Sequence, residues 1–178
     1  MDIEEELANV QRRISAGSDF GELCLEYNAP SVSGAWRLIS SVDTAAYGEA
    51  IRTAAERAER MAQPEATKAL YFEYSMDDGW RSGLFLCPEY RPRSALDDDW
   101  AADFTVDLPS GDLPAFSEIY ASTERFCRDD ESTRITLLLA IVTASIVSSE
   151  FSGFPEGPAI CLGFHGQDLV WRLREPQA

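Results

Sequence analysis

The sequence predicts an α+β fold, in which a mainly antiparallel sheet packs against about four helices. Two observations lead to this class: the hydrophobic period changes along the chain between about 3.6 and two residues, and the two-residue segments occur in hairpin-like pairs. A length of 178 residues fits one domain, whose folding removes roughly 70% of the unfolded chain's accessible surface. Residues 1–178 are therefore predicted to form a single domain.

Helical spacing of apolar residues occurs in four segments: residues 2–16, residues 44–62, a segment after Asp112, which is predicted to cap it, and residues 131–149. The last segment is apolar on nearly all sides, which predicts a central core helix. Its apolar run of residues 135–147 is shorter than the roughly 20 residues of a membrane span, so no membrane segment is predicted. Residues 20–41 have a weaker pattern that favours two short strands at 23–27 and 36–38. A short helix at 36–40 is the alternative for the second of them.

Alternation with a period of two predicts the strands. Residues 70–76 and 80–86 flank Asp77-Asp78-Gly79, and Asp-Gly is a strong signal for a hairpin turn. Residues 100–108 form a predicted third strand, and residues 160–164 and 169–173 form a last hairpin around the turn HGQD. Residues 87–97, with two prolines, are predicted to be a loop.

Charge is the unusual feature of the composition. The chain has 31 acidic and 15 basic residues, which gives a formal net charge of −16. Such a field repels phosphate backbones and anionic lipids, which disfavours direct binding to nucleic acid or to a membrane surface. It attracts a basic protein partner, although solubility alone is another explanation of the charge. The oligomeric state is left open.

The acidic residues concentrate between Arg93 and Arg125, where eight acids and no base occur: Asp97, Asp98, Asp99, Asp103, Asp107, Asp112, Glu118 and Glu124. On the predicted third strand, Asp99, Asp103 and Asp107 project from the polar side about 13 Å apart and form an acidic stripe. The candidate partner-binding residues are Asp97, Asp98, Asp99, Asp103 and Asp107, with Tyr90 and Trp100 as aromatic anchors if they are exposed.

No motif in the sequence identifies a reaction, a cofactor or a metal. An EF-hand that begins at Asp97 fails, because Ala102 and Leu108 stand where glycine and glutamate are required. His165 is the only histidine and is predicted to lie exposed in a turn, too far along its strand from Cys161 for a catalytic pair. Two alternatives stay open beside a binding protein: an enzyme that uses carboxylates or a loosely held Mg²⁺ at Asp97, Asp98 and Asp99, and a nucleic-acid mimic.

Cysteine usage and the N-terminus indicate the compartment. The four cysteines are far apart without a C-x-x-C pair, which is typical of free thiols in a reducing environment. The start, MDIEEELANVQRR, lacks the basic and apolar order of a secretory signal. A cytoplasmic protein is therefore expected.

Residues 71–100, from YFEYSMDDGW to DDDW, are the part of this small acidic α+β chain that most resembles the immunity proteins of bacterial toxin systems. Those proteins bind and block a cognate toxin domain that is often basic. The resemblance is one of class and implies a bacterial, inhibitory, protein-binding function without catalytic residues or cofactors. Members of the class bind their toxins through different faces, so the resemblance does not place the binding surface.

Overall fold

The computed structural model describes residues 1–63, 66–95, 97–123, 127, 129–166 and 169–176. These residues form six α-helices: α1 Ile3–Ser15, α2 Phe20–Tyr27, α3 Ser33–Ser41, α4 Ala45–Met61, α5 Pro114–Ala121 and α6 Asp130–Glu150. They form five strands: β1 Ala69–Ser75, β2 Arg81–Cys87, β3 Val106–Pro109, β4 Ala159–Phe164 and β5 Trp171–Arg174. The predicted α+β fold is confirmed, with six helices where about four were expected. The predicted positions Glu124, Phe126, Gln167 and Asp168 lie outside the described residues.

The five strands form one sheet in the order β3-β2-β1-β4-β5. Three of the four neighbouring pairs are antiparallel, which confirms the mainly antiparallel sheet, and both predicted hairpins are present. The pair β1–β4 is parallel and was not predicted. It arises because the chain leaves the sheet after β3, passes through α5 and α6, and returns on the other side of β1.

The helices cover one face of the sheet. Leu70, Phe72 and Tyr74 of β1 point into the main core, where they meet buried residues of the helices. The central position predicted for the fourth helix is confirmed, because α6 packs against each of the other five helices. By length and composition α6 could span a membrane, but about two thirds of its most apolar window, 67%, is buried in the protein.

The other face of the sheet is covered only in part. Residues 88–95 and 97–104 lie over one end of it and form a second, smaller core with the strands. The buried members of this core are Ala69, Tyr71, Cys87, Trp100, Ala101, Ala159, Cys161 and Val170. None of the described residues of helices α1–α6 belongs to this second core. The remaining part of this face, which we call the open sheet face, includes Glu73, Ser75 and Gly83.

The strands predicted for residues 20–41 are wrong, because this segment forms α2 and α3. Asp19 caps α2, since its carboxylate accepts hydrogen bonds from the backbone N–H groups of Gly21 and Glu22. Leu23 and Tyr27 are buried one helical turn apart, whereas Leu25 is 72% exposed. A strand would have placed all three on one side, so helical spacing accounts for their burial.

The third strand is shorter than predicted, and the third helix begins differently. Residues 99–102 form a turn of 3₁₀-helix, and β3 contains only Val106–Pro109. Consequently Trp100 is buried while Phe104 is 47% exposed, although strict alternation would put them on the same side. Asp112 does not cap α5, which begins at Pro114 without a side-chain cap.

Candidate functional site

The acidic segment divides into carboxylates that are paired with arginines and carboxylates that are not. Asp98 belongs to the paired group: one of its oxygens accepts a hydrogen bond from the Arg172 guanidinium, and the other accepts one from the backbone N–H of Val170 at 2.9 Å. Arg93 adds a longer ion-pair contact at 3.7 Å. Asp97 pairs with Arg91. Two of the three carboxylates considered for a Mg²⁺ site are therefore already paired with arginines.

Arg172 is the buried partner of this arrangement, with a side chain that is 1% exposed. Besides Asp98, it donates to the carbonyl oxygens of Val170 at 2.6 Å and Arg91 at 2.8 Å. Burial acts to lower the pKa of Arg172, but the hydrogen bond and charge of Asp98 outweigh it and the pKa lies above its ordinary value. Asp98 thus fastens residues 97–104 to β5.

Trp100 and Tyr90, the predicted aromatic anchors, belong to the same internal cluster. Trp100 is buried, and the Arg172 guanidinium lies 5.8 Å from its ring centroid. Tyr90 is half-buried, meets Trp100 edge-on at 5.4 Å, and donates its hydroxyl hydrogen bond to Glu175. Trp100 was a candidate anchor only if exposed, and this condition is not met, because its ring is buried in the second core.

Asp99, Asp103 and Asp107 are exposed, as predicted for the acidic stripe. None of them lies within ion-pair distance of a cation in the described part of the chain. They do not share one strand, however, because Asp99 lies in the 3₁₀ turn and only Asp107 lies in β3. The regular spacing of about 13 Å expected along a strand therefore does not hold.

Glu73 stands at the centre of the open sheet face with a glycine on each side. In the strand register it pairs with Gly83 of β2 and Gly163 of β4. Aromatic rings of neighbouring residues lie over both glycines: a Cβ at Gly83 would be 3.0 Å from Phe85 Cζ, and one at Gly163 would be 2.5 Å from the Tyr71 hydroxyl. The Glu73 side chain therefore stands between the Phe85 ring on one side and the Tyr71 side chain on the other.

Two polar groups contact the Glu73 carboxylate. The Tyr71 hydroxyl donates to Oε2 at 3.2 Å, and Nδ1 of His165 lies 3.2 Å from Oε1. Burial first, and the Glu73 charge second, raise the pKa of Tyr71 well above its ordinary value, so the phenol stays protonated and can donate. His165 is 76% exposed, in agreement with the prediction, but the sequence gave no sign of its contact with Glu73.

An open trough of about 570 Å³ surrounds Glu73. Among the described residues, four carboxylates line it: Glu73, Asp78, Asp107 and Asp112. The same described lining contains one arginine, Arg81, and it is paired with Asp78 at 3.2 Å. Next to the trough, Phe85 packs against the exposed Phe104 with ring centroids 4.6 Å apart. The trough thus combines a surplus of negative charge with accessible aromatic surface.

Covalent or metal-based catalysis has little support in this geometry. Burial raises the pKa of Cys87 to about 12, and it raises that of Cys161 further, so neither thiol ionises near neutral pH. In the described residues, the His165 ring is within hydrogen-bond distance of Glu73, and no such bond to a serine or cysteine is present. The same residues contain no cluster of three histidine, cysteine or acidic side chains that could hold a metal ion. What the arrangement can do is attract a positively charged organic group, because carboxylates outnumber basic side chains in the described lining.

The reactivity of the four cysteine thiols tests how deeply each of them is buried. In the folded protein, Cys24, Cys87 and Cys161 should resist a thiol-specific colorimetric reagent, because all three are buried and burial raises their pKa values. The half-buried Cys127 should react first. The Cys127→Ser variant should then lack the fast phase and react only at the rate of unfolding. Rapid labelling of that variant would contradict the burial of the other three thiols.

Comparison of the chain with models of known protein families, with curated proteins and with solved structures gave no match. The function therefore has to be inferred from the geometry of the molecule.

Proposed function

We propose that the protein is a protein-binding module, an inhibitor of the immunity type that binds a basic toxin or effector domain in the cytoplasm of a bacterial cell. The binding surface is the acidic–aromatic surface, which we define as Glu73, Phe85, Asp103, Phe104 and Asp107. One observation supports this proposal above others: on the sheet face without helices, carboxylates that lack an arginine partner stand beside the exposed Phe104 and the half-buried Phe85.

The contrast within the acidic segment makes this observation specific. Asp97 and Asp98 are neutralised by arginines and hold the segment in place, whereas Asp103 and Asp107 are exposed without a described counter-ion. Unpaired carboxylates close together repel one another and add nothing to stability. A basic partner would relieve that repulsion, and the same field would accelerate its approach.

The aromatic pair supplies what charge alone does not. Rim charges mainly change the rate of association, while the binding energy of an interface comes from a few buried aromatic and arginine residues. Phe104 is exposed and Phe85 is half-buried beneath it, so a partner that covers them removes apolar surface from water. Guanidinium groups also stack well on aromatic rings, which favours a partner rich in arginine.

The proposal predicts how association with basic domains depends on charge. Purified basic domains serve as probes, with the products of genes next to that of this protein tested first. The Asp103→Asn/Asp107→Asn variant should associate about 3–10-fold more slowly at low ionic strength. The difference should shrink between about 0.01 M and about 0.15 M salt, where the Debye length falls from about 30 Å to about 8 Å.

A matched control separates a local surface from a general effect of net charge. Glu22→Gln/Glu56→Gln removes the same charge from exposed positions of α2 and α4, which lie on the helical side of the sheet. This variant should leave the association rate nearly unchanged. Equal slowing by both double variants, or no slowing by either, would overturn the assignment of the acidic–aromatic surface.

A further inference from the structure

We infer that the trough around Glu73 is a socket for the guanidinium group of one arginine side chain of the partner. This inference rests on the proposed function, because it names the group that the acidic–aromatic surface receives. It assigns a role to Glu73, Gly83 and Phe85 that the sequence alone does not suggest.

The glycines allow two aromatic side chains to form the sides of the trough. Glycine weakens a strand and, inside one, usually marks a bulge or the close approach of another group. The pairing of β1 with β2 is regular through Gly83, and so is the pairing of β1 with β4 through Gly163, so no bulge explains either residue. The approaching groups are the Phe85 ring over Gly83 and the Tyr71 side chain over Gly163, and the Glu73 carboxylate between them is 29% exposed.

The carboxylate has unused capacity for hydrogen bonds. A carboxylate oxygen offers two lone pairs, and in the described part of the chain each oxygen of Glu73 has one contact, Oε2 with the Tyr71 hydroxyl and Oε1 with His165. The fork of a guanidinium places two N–H donors so that they reach both oxygens of a carboxylate together. His165 is largely exposed, so its ring can swing aside without disturbing the core.

The walls of the trough match the other properties of a guanidinium. The end of the Phe85 ring lies over Gly83, and Phe104 extends this aromatic surface outward. Asp107 Oδ1 would be 3.4 Å from a Cβ at Gly83, so a second carboxylate lies beside the same ring. A planar cation can stack on the aromatic surface while it bonds to the carboxylates, which an ammonium group cannot do.

The surplus of carboxylates around the trough also favours a positively charged group. Glu73, Asp107 and Asp112 line the trough, and in the described lining no arginine or lysine is paired with them. Arg81 is engaged with Asp78. An incoming arginine would therefore meet a surplus of negative charge, whereas a partner's acidic or phosphorylated side chain would be repelled.

The test is an NMR titration of the full chain with three blocked tripeptides, Gly-Arg-Gly, Gly-Lys-Gly and Gly-citrulline-Gly. Citrulline has the shape of arginine without its charge. The arginine peptide should give saturable shifts of the backbone amides of Glu73, Gly83, Asp107 and Gly163. Binding of the lysine peptide should be weaker, and binding of the citrulline peptide should be weaker by about tenfold or more.

Two variants test the socket itself. Gly83→Val displaces the Phe85 ring from its place beside Glu73 without a change of charge, and a β-branched residue suits a strand. Glu73→Gln keeps the size of the side chain and removes its charge. Each variant should bind the arginine peptide about tenfold more weakly, or weaker still, with the amide spectrum otherwise retained. The control variant Glu56→Gln should bind it as the unchanged protein does. If Gly83→Val does not fold, the binding of the arginine peptide to Glu73→Gln alone tests the socket.

The outcomes separate this inference from the proposed function. Equal binding of arginine and citrulline peptides, or undiminished binding by Glu73→Gln, overturns the socket. If the socket is overturned while Asp103→Asn/Asp107→Asn still slows association with a basic domain, the proposed function stands without it. If the arginine peptide saturates the trough but no basic domain shows that slowing, the socket stands and the proposed function falls.

Discussion

Replacing Asp98 with alanine is expected to lower the free energy of unfolding by about 3–5 kcal/mol, because the change leaves the Arg172 guanidinium buried without its counter-ion. The backbone N–H of Val170 loses its acceptor at the same time. Urea denaturation at neutral pH measures the effect as a lower transition midpoint. Amide hydrogen exchange at Val170 should become faster, because that N–H is no longer bonded to Oδ2.

The neighbouring residue provides the control for this prediction. Asp99 is exposed and has no described ion pair, so Asp99→Ala should change the unfolding free energy by no more than about 0.5 kcal/mol. In a second control, Asp98→Asn/Arg172→Met removes both charges and should recover part of the loss, since a neutral pair needs no compensation. Equal stability of Asp98→Ala and Asp99→Ala would contradict the structural role of Asp98.

The elements that the sequence predicts well are those with strong local signals. Helices α1, α4 and α6 have regular apolar spacing, and the β1–β2 hairpin has the Asp78-Gly79 turn. Local periodicity determines which side of an element is buried, so such segments can be read without knowledge of their neighbours. The strand prediction for residues 20–41 was wrong because alternation over five residues also fits a short helix. For α2, the Asp19 cap was the signal that distinguishes the helix from a strand.

The candidate site could be predicted only in part, because its features depend on contacts between distant segments. Composition gives the charge of −16, but it does not show that Asp98 is neutralised by Arg172, 74 residues away in the chain. The glycine-flanked carboxylate likewise exists only through the register, since the parallel pairing of β1 with β4 puts Gly163 beside Glu73. The exposed Asp103 and Asp107 were predicted correctly because an acidic run without arginine partners nearby in the chain is usually solvated.

Trp80 is the side chain whose loss should affect the main core most. It is fully buried, stacks on Tyr74 at 4.8 Å, meets Phe116 edge-on at 5.6 Å, and donates from Nε1 to Thr143 Oγ1 at 3.1 Å. It lies in the turn between β1 and β2, one residue before β2 begins, with a φ of +54°. Its backbone is thus in the left-handed region that bulky residues rarely adopt, and only the surrounding packing holds it there.

Trp80→Ala is therefore expected to lower the free energy of unfolding by about 3–5 kcal/mol. The half-buried Trp36 of α3 provides a matched control. Trp36→Ala should lower the free energy of unfolding by clearly less in the same denaturation experiment. Trp80→Gly distinguishes packing from backbone strain. Because a left-handed conformation costs alanine about 1–2 kcal/mol and glycine almost nothing, the glycine variant should be at least as stable as the alanine variant. A glycine variant that is clearly less stable than the alanine variant would show that Trp80 does not hold this strained backbone in solution.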